Sequence, residues 1–321
     1  MRRGIIAGFV VMVVAVASFA ARADYPARPI RLIVSSPAGS LVDVLSRLLT
    51  QDLGPRLGQT FVVDNRAGAM TQVALETLIR SPADGYTLMI GPSELAMLPF
   101  LKKSFRFDPL KDVAPVALFA SSWTVFAVNP KLPARTLPEL VAYARQHPGV
   151  VRYGSGGVGG ALHIAVEMLK LKTGIDLVHI PYRGGSQVAT DAIAGQIDMA
   201  SMGLASTRIA ADGQLRILAQ TGPMRHPMLP DVPTTAELGL PDVRMETWFG
   251  VVAPAGVPQA VIDRLADAIG AVAQEPAFRE KLFAIGCAAS FLPPAAFTAY
   301  IADETRKWGE IIPAMGLSIE E

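Results

Sequence analysis

Residues 30–34, Ile-Arg-Leu-Ile-Val, form a short apolar run of β type that ends in Ser35, Ser36, Pro37, Ala38, Gly39 and Ser40. Beyond that turn Val44, Leu45, Leu48, Leu49 and Leu53 recur at three- and four-residue spacing, the apolar stripe of a helix. The pattern returns twice. Residues 61–63 lead through 65–68 into a helix over 72–80, and 87–90 lead through Gly91, Pro92 and Ser93 into one over 94–98. Strands alternating with helices predict an α/β fold, a parallel sheet covered by its crossovers.

A second series follows, with strands at 124–128, 151–153, 177–180, 197–200 and 215–219 and helices at 137–146, 161–173 and 187–194. An extended run returns at 248–252. Amphipathic helices over 259–274, 277–284 and 295–312 complete the pattern, the last two separated by Pro293-Pro294. Breaks at 121–129 and 247–254 predict two crossings between units. Lobe 1 is expected at 24–123 with 249–321, lobe 2 at 124–248, and the ligand cleft between them. Strand C-termini and helix N-termini converge at such a cleft, the usual ligand position in open α/β sheets.

Residues 1–23 alter this picture. Met1-Arg2-Arg3 is a basic start, 4–19 is almost unbroken apolar sequence, and Ala21-Arg22-Ala23 suits a signal-peptide cut after Ala23. The run is shorter than the about 20 residues a membrane span needs, so a periplasmic, exported chain is expected. Without the leader, Lys+Arg falls from 29 to 26 against 28 Asp+Glu, a net charge of −2. Such a balance carries no nucleic-acid footprint. Cys287 is the single cysteine, which excludes an internal disulfide, and its apolar neighbours suggest a buried small hydrophobe.

Gly154, Gly156 and Gly159 satisfy G-x-G-x-x-G. An exported chain meets little NAD, and Asp176, the candidate ribose partner, precedes a strand instead of ending one, so no cofactor is expected. The 35–40 and 154–160 turns each join a strand to a helix, where unpaired backbone N–H groups and the positive helix end suit a carboxylate or phosphate. Ser40 and Ser155 offer hydroxyls. A tight turn without a ligand is the plainer alternative. His163 and Glu167, four apart on a helix, supply only two metal ligands and suit a hydrogen-bonded pair instead, so no metal is expected. Ser93 follows Gly91-Pro92 but lacks the second glycine of a nucleophile elbow. With no oriented base evident, the chain is expected not to be an enzyme; an exported hydrolase using Ser93 or His163 is the competing reading.

Several segments in order resemble the Bug-type substrate-binding proteins of tripartite tricarboxylate transporters. They are Tyr25-Pro26 with Pro29-Ile30-Arg31-Leu32-Ile33-Val34, Asp64-Asn65-Arg66-Ala67-Gly68-Ala69, Ala83-Asp84-Gly85-Tyr86-Thr87-Leu88 and Phe107-Asp108-Pro109-Leu110-Lys111-Asp112. His179-Ile180-Pro181-Tyr182-Arg183-Gly184, Leu229-Pro230-Asp231-Val232-Pro233-Thr234, Trp248-Phe249-Gly250 and Ala253-Pro254-Ala255-Gly256 continue the series, so the resemblance spans the mature chain. It implies a two-lobed periplasmic binding protein type II fold with two crossing hinge strands. It also implies a monomeric receptor that delivers an organic acid to the membrane subunits of a transporter. A sensory subunit docking to a periplasmic kinase is the alternative role.

The resemblance places one ligand carboxylate on Ser155, Gly156, Gly157, Gly159 and Gly160, with Pro37, Ala38, Gly39 and Ser40 closing over it and Tyr182 and Arg183 nearby. Asp43, Ser93, His163, Met202 and Trp248 are the remaining candidate ligand contacts. This sequence departs from the family pattern at Ser40, where a glycine is usual, and at Gly156, Gly160, Met202-Gly203 and Leu98-Pro99, which stand in place of polar residues, so fewer polar side chains remain. A ligand with a more apolar body than citrate is therefore expected.

Overall fold

A computed structural model describes residues 25–182, 185–208 and 213–319. The expected leader with its cut after Ala23, and Arg183, lie outside the described residues. In chain order the first elements are β1 (Ile30–Val34), α1 (Leu41–Leu57), β2 (Phe61–Asn65), α2 (Gln72–Ile79), β3 (Thr87–Pro92), α3 (Glu94–Leu101) and β4 (Val113–Val128). Then come α4 (Leu137–Gln146), β5 (Arg152–Ser155), α5 (Ala161–Thr173), β6 (Val178–Pro181), α6 (Gly185–Ala194), β7 (Met199–Gly203) and β8 (Arg216–Gln220). The chain returns through β9 (Glu246–Pro254), α7 (Gln259–Gln274), α8 (Pro276–Ala284), β10 (Ala288–Leu292) and α9 (Pro294–Met315).

The sheet runs β2-β1-β3-β9-β4-β7-β5-β6, with β8 and β10 also paired to β4. The predicted helical stripe of α1 buries Leu45, Leu49, Leu53 and Leu57 on one side. Ser40 Oγ accepts from Asp43 N at its start, and Gly58, left-handed, stops it. Such caps set where the 35–40 turn ends and the helix begins. At the far end of the chain α7 and α9 fold back: α7 packs on α1, and α9 packs on α3 while also touching α5.

β4 is longer than the predicted 124–128 strand. Its 16 residues carry almost no alternation because nearly all of them are buried, and Ser121, Ser122 and Thr124 in mid-strand read as a break. These polar residues are accommodated inside. Ser122 Oγ donates to Gly286 O at 2.8 Å, and Thr124 N donates to Thr221 Oγ1 at 3.2 Å. Through Trp123, β4 pairs with β9; from Thr124 onward it pairs with β7. One strand thus serves two half-sheets, and the change of partner falls between residues 123 and 124. β10, which had no sequence signal, pairs with the first half of β4.

The core is divided into separate apolar clusters. One apolar cluster joins Leu95, Leu98 and Leu101 of α3 to Trp308 and Ile312 of α9 and to Ile164 and Met168 of α5. A second lies between α1, α7 and α8 and includes Cys287, whose thiol burial pushes up to about 12. No described helix is long and apolar enough to cross a membrane.

Candidate functional site

The 35–40 turn is held from beneath. Gly39, at φ +80, donates its N–H to Asp43 Oδ2 at 2.9 Å, and Asn65 Nδ2 bridges Asp43 Oδ1 at 3.0 Å and Ser36 O at 2.9 Å. Arg47 completes the set at 3.0 Å from Oδ1. Both oxygens of Asp43 are therefore engaged within the protein. The Arg47 hydrogen bond, helped by those from Gly39 and Asn65, holds the carboxyl down to about 2 against the effect of burial. Pro37, Ala38 and Gly39 stand exposed above this latch, with Ser40 half-buried.

The 154–160 turn is anchored from behind. Ser155 is fully buried; its hydroxyl donates to Gly157 O at 3.2 Å and lies 2.7 Å from His179 Nε2. Gly159 N donates to His163 Nδ1 at 3.1 Å. The rings of Tyr153, His179 and His163 stack in succession, with the two imidazole centroids 4.1 Å apart. Tyr153 Oη donates to Glu167 Oε1 at 2.6 Å, and Lys170 Nζ meets the same oxygen at 2.9 Å. Burial, with the neighbouring imidazole second, lowers His179 to about 4; burial also lowers His163. The expected His163–Glu167 hydrogen bond is not formed: Nε2 and Oε1 stand 3.9 Å apart, because Tyr153 and Lys170 take Glu167 Oε1 while His163 Nδ1 accepts from Gly159 N. Among the described residues no group of three or more His, Cys, Asp or Glu is arranged to hold a metal.

Gly160 begins α5 with no side-chain cap, leaving the start of the helix to backbone groups. One residue of the loop before α2, Met70, lies against this turn. Ala69, Met70 and Thr71 all have positive φ, at 44°, 47° and 71°, a run that non-glycine residues rarely adopt and that clusters at ligand clamps and switch regions. Met70 reaches across: a Cβ placed on Gly159 would collide with Met70 Cε and come within 3.3 Å of Ile319 Cγ2. Ile319 is itself tied to the end of α3 by its N–H to Leu101 O at 2.9 Å. The turn is thus covered by the loop before α2 and the segment after α9.

The remaining candidates divide. Tyr182 joins the 154–160 turn through its N–H to Ser155 O at 2.9 Å, with its hydroxyl on Asp191 at 2.8 Å. Ser93 is fully buried at the end of β3, and its hydroxyl has no hydrogen-bond partner. Trp248 is also fully buried, edge-on to Phe297 and Tyr300, with Nε1 unpaired. Continuing the β3–β9 register one step past Pro92↔Phe249 puts Ser93 beside Trp248. Met202 lies on β7 in a buried cluster with Trp123 and Val188.

Sequence reading passed over Glu94, Met70 and Ile319. Glu94 opens α3, and its Oε2 is closed off from solvent without a hydrogen bond. The Ala161 N–H at the start of α5 acts on that carboxyl. Its signal was available: an acidic residue in the first turn after a strand end, one position from the serine that was named.

The 35–40 and 154–160 turns each sit at a strand-to-helix junction, and Gly159, just before α5, lies against Met70 and Ile319. Comparison with known proteins places the chain. The model of the tripartite tricarboxylate transporter family receptor, TctC, matches residues 45–317. The chain belongs to this family. BugT of Bordetella pertussis is 34% identical over 300 residues, covering 92% of each chain. A solved structure of an R. palustris protein with adipate is 29% identical, with a TM-score of 0.84, and covers 92% of this chain and 100% of its own. The structure of the periplasmic binding protein BugD is 27% identical, with a TM-score of 0.80, and covers 92% and 100% respectively. The expected α/β binding-protein fold and family are thereby established, and the role is that of a periplasmic solute receptor of the tricarboxylate-transporter type.

Proposed function

We propose that this TctC receptor holds a small organic acid between lobe 1, residues 24–123 with 249–321, and lobe 2, residues 124–248, and hands it to the integral membrane subunits of its transporter. The partner exchange of β4 at residues 123 and 124 supports that division. One ligand carboxylate rests on the backbone at the start of α5, and the 35–40 turn closes over it. The observation that carries this reading is the uncapped N-terminus of α5, which sits beneath Met70 and Ile319. An anion is favoured there by the helix dipole and by the first-turn N–H groups that Glu94 does not take. Adipate in the R. palustris relative is a ligand of the same class. The receptor works as an exported monomer without catalysis; Ser155 and His179 anchor a loop, and Ser155 has no exposed surface.

Gly160 supplies a test that spares the fold. Its φ of −68° and ψ of 161° suit any residue, and a Cβ there meets nothing closer than Gly157 O at 3.8 Å. Gly160→Asp installs a good N-cap and also a fixed carboxylate at the proposed anion site. The variant is expected to melt no lower than wild type yet to show no thermal shift with carboxylates. Gly160→Ser, a neutral cap, is expected to keep the shift. Wild type at a hundred times the dissociation constant gains about 2.7 kcal/mol, a readable change in a chain this long. If Gly160→Asp binds acids as wild type does, the carboxylate is held elsewhere.

A further inference from the structure

Among the described residues the two half-sheets end on β2 and β10 and on β6 and β8. A sheet edge carries a row of free N–H and C=O groups that invites another strand, so folded proteins blunt it. Three of these edges are blunted. β10 is packed by α7, α8 and α9. β8 passes its pairing on at Gln220, whose N–H donates to Pro233 O at 3.0 Å and whose C=O accepts from Thr235 N at 2.9 Å. In β6 the even-numbered residues bond β5, as the Val178 N to Val151 O and Tyr182 N to Ser155 O contacts show, so Pro181 stands on the outer side and has no N–H to offer.

β2 has no such device. Its main packing partners are β1 and α1, and it contains no proline. Ile30 N donates to Thr60 O at 2.9 Å and Arg66 N to Val34 O at 2.7 Å, which turns the even-numbered residues of this parallel pair toward β1. The N–H and C=O groups of Phe61, Val63 and Asn65 therefore point outward, and among the described residues no other backbone group bonds them. Phe61 and Val63 also line a groove of about 730 Å³ against α1, with Arg47, Thr50 and Pro55 on its helix side. An added strand would bond the edge and set alternate side chains into this groove, the arrangement of β-strand addition. On the opposite face Val62 is 53% exposed.

Charge narrows the occupant. Arg31 and Arg66 share one carboxylate, Asp64, while Arg47 is matched by Asp43. One guanidinium is left over at the edge of a chain whose mature net charge is −2. A second copy would set two such surpluses against each other, whereas an extended segment with acidic residues matches this one. The edge also ends at the parts that cover the cleft: Asn65 holds the 35–40 turn, and Met70 follows in the next loop.

We propose that the free edge of β2, with its groove along α1, is the docking surface for the transporter's membrane subunits, which add an extended acidic segment to it as a further strand. This assignment rests on the delivery reading above and gives it a contact surface.

Co-sedimentation of the mature receptor with proteoliposomes holding the membrane subunits, against protein-free vesicles of the same lipid, measures docking. Val63→Pro removes an outward N–H and no bond to β1; Val62→Glu and Val62→Arg place opposite charges on the exposed face. Val63→Pro and Val62→Glu are each expected to weaken docking at least about tenfold. Val62→Arg is expected to dock as well as wild type or better, and circular dichroism and melting to show all three folded. Should Val63→Pro fail to fold, the two Val62 variants carry the test. A folded Val63→Pro or Val62→Glu receptor that docks as wild type does, or a loss that Val62→Arg shares with Val62→Glu, would overturn the assignment while leaving delivery to the membrane subunits intact. A receptor dimer in solution that Val63→Pro dissociates would overturn it too, by making the edge an interface between copies. If wild type sediments no better with the subunits than with bare vesicles, the docking surface and the delivery reading fail together.

Discussion

Gly159 shows how one residue ties the 154–160 turn to the distant segments that cover it. It holds φ at +77 and has no room for a methyl group, because Met70 Cε and Ile319 Cγ2 occupy that space. An L-residue in this region costs on the order of 1 kcal/mol before any collision is counted. Gly159→Ala is therefore expected to lower the melting temperature and to weaken ligand binding. Adding Met70→Ala should restore part of both, since the collision goes and the backbone strain stays. A double-mutant cycle by denaturant unfolding and calorimetry measures the coupling; additivity would mean that Met70 does not press on the turn. The glycine spacing of this turn was legible in the sequence, and so was its place before a helix. Its cover was not. Met70 and Ile319 are 89 and 160 residues away from Gly159 along the chain, and neither belongs to any local pattern. Glu94 was legible only as a first-turn acid, because the burial that makes it chemically notable arises where α3 meets α5.

Among the elements, α5 carries most of the site, and its acid sensitivity can be derived from the rings behind it. His163 receives the Gly159 N–H and His179 holds Ser155, so both imidazoles position the turn that would receive the carboxylate. Burial lowers both, His179 to about 4. In the unfolded chain each binds a proton near 6.5, which the folded chain refuses. Stability contributed by the neutral rings is complete above about pH 6.5 and is lost as pH falls toward 4, where His179 protonates in the folded state. Denaturant unfolding at pH 7, 6, 5 and 4 is expected to show this decline, and His179→Gln should flatten it. A wild-type profile that is level from 7 to 4 would remove the ring stack as an acid-sensitive element. At this scale the sequence was read with most success where a period is visible. The strands β1 and β3 and the helices α1, α4, α5 and α7 follow from apolar spacing. The first half of β4 did not, because a strand buried on both faces has no alternation, and its serines and Thr124 find partners only after distant segments arrive.

For the whole molecule, the joint between the half-sheets lies where Trp123 and Thr124 of β4 meet the segment after β8. Thr221 N donates to Thr124 O at 2.9 Å, and Thr221 Oγ1 lies 2.6 Å from Met245 O, so one residue touches both of the chain's crossings. Beside it Gly222 packs against the indole of Trp123, whose other neighbour, His226, stacks edge-on at 4.7 Å. A methyl group at residue 222 would push into the indole ring itself. Such a ring cannot yield as the end of a flexible side chain can, so the strain has to move the crossing segment. If the lobes turn about this joint, Gly222→Ala should alter closure although residue 222 lies outside the ligand contacts. Small-angle scattering of wild type is expected to show a smaller radius of gyration once ligand is added. Gly222→Ala should show a larger radius than wild type in the presence of ligand and weaker affinity for every acid, with the ranking among acids unchanged. The unchanged ranking is the informative part, because a hinge alters how much free energy closure requires and leaves the choice among acids to the ligand contacts. Were the variant to reorder the acids, residue 222 would be acting on the cleft itself, and the joint would have to lie elsewhere along β4.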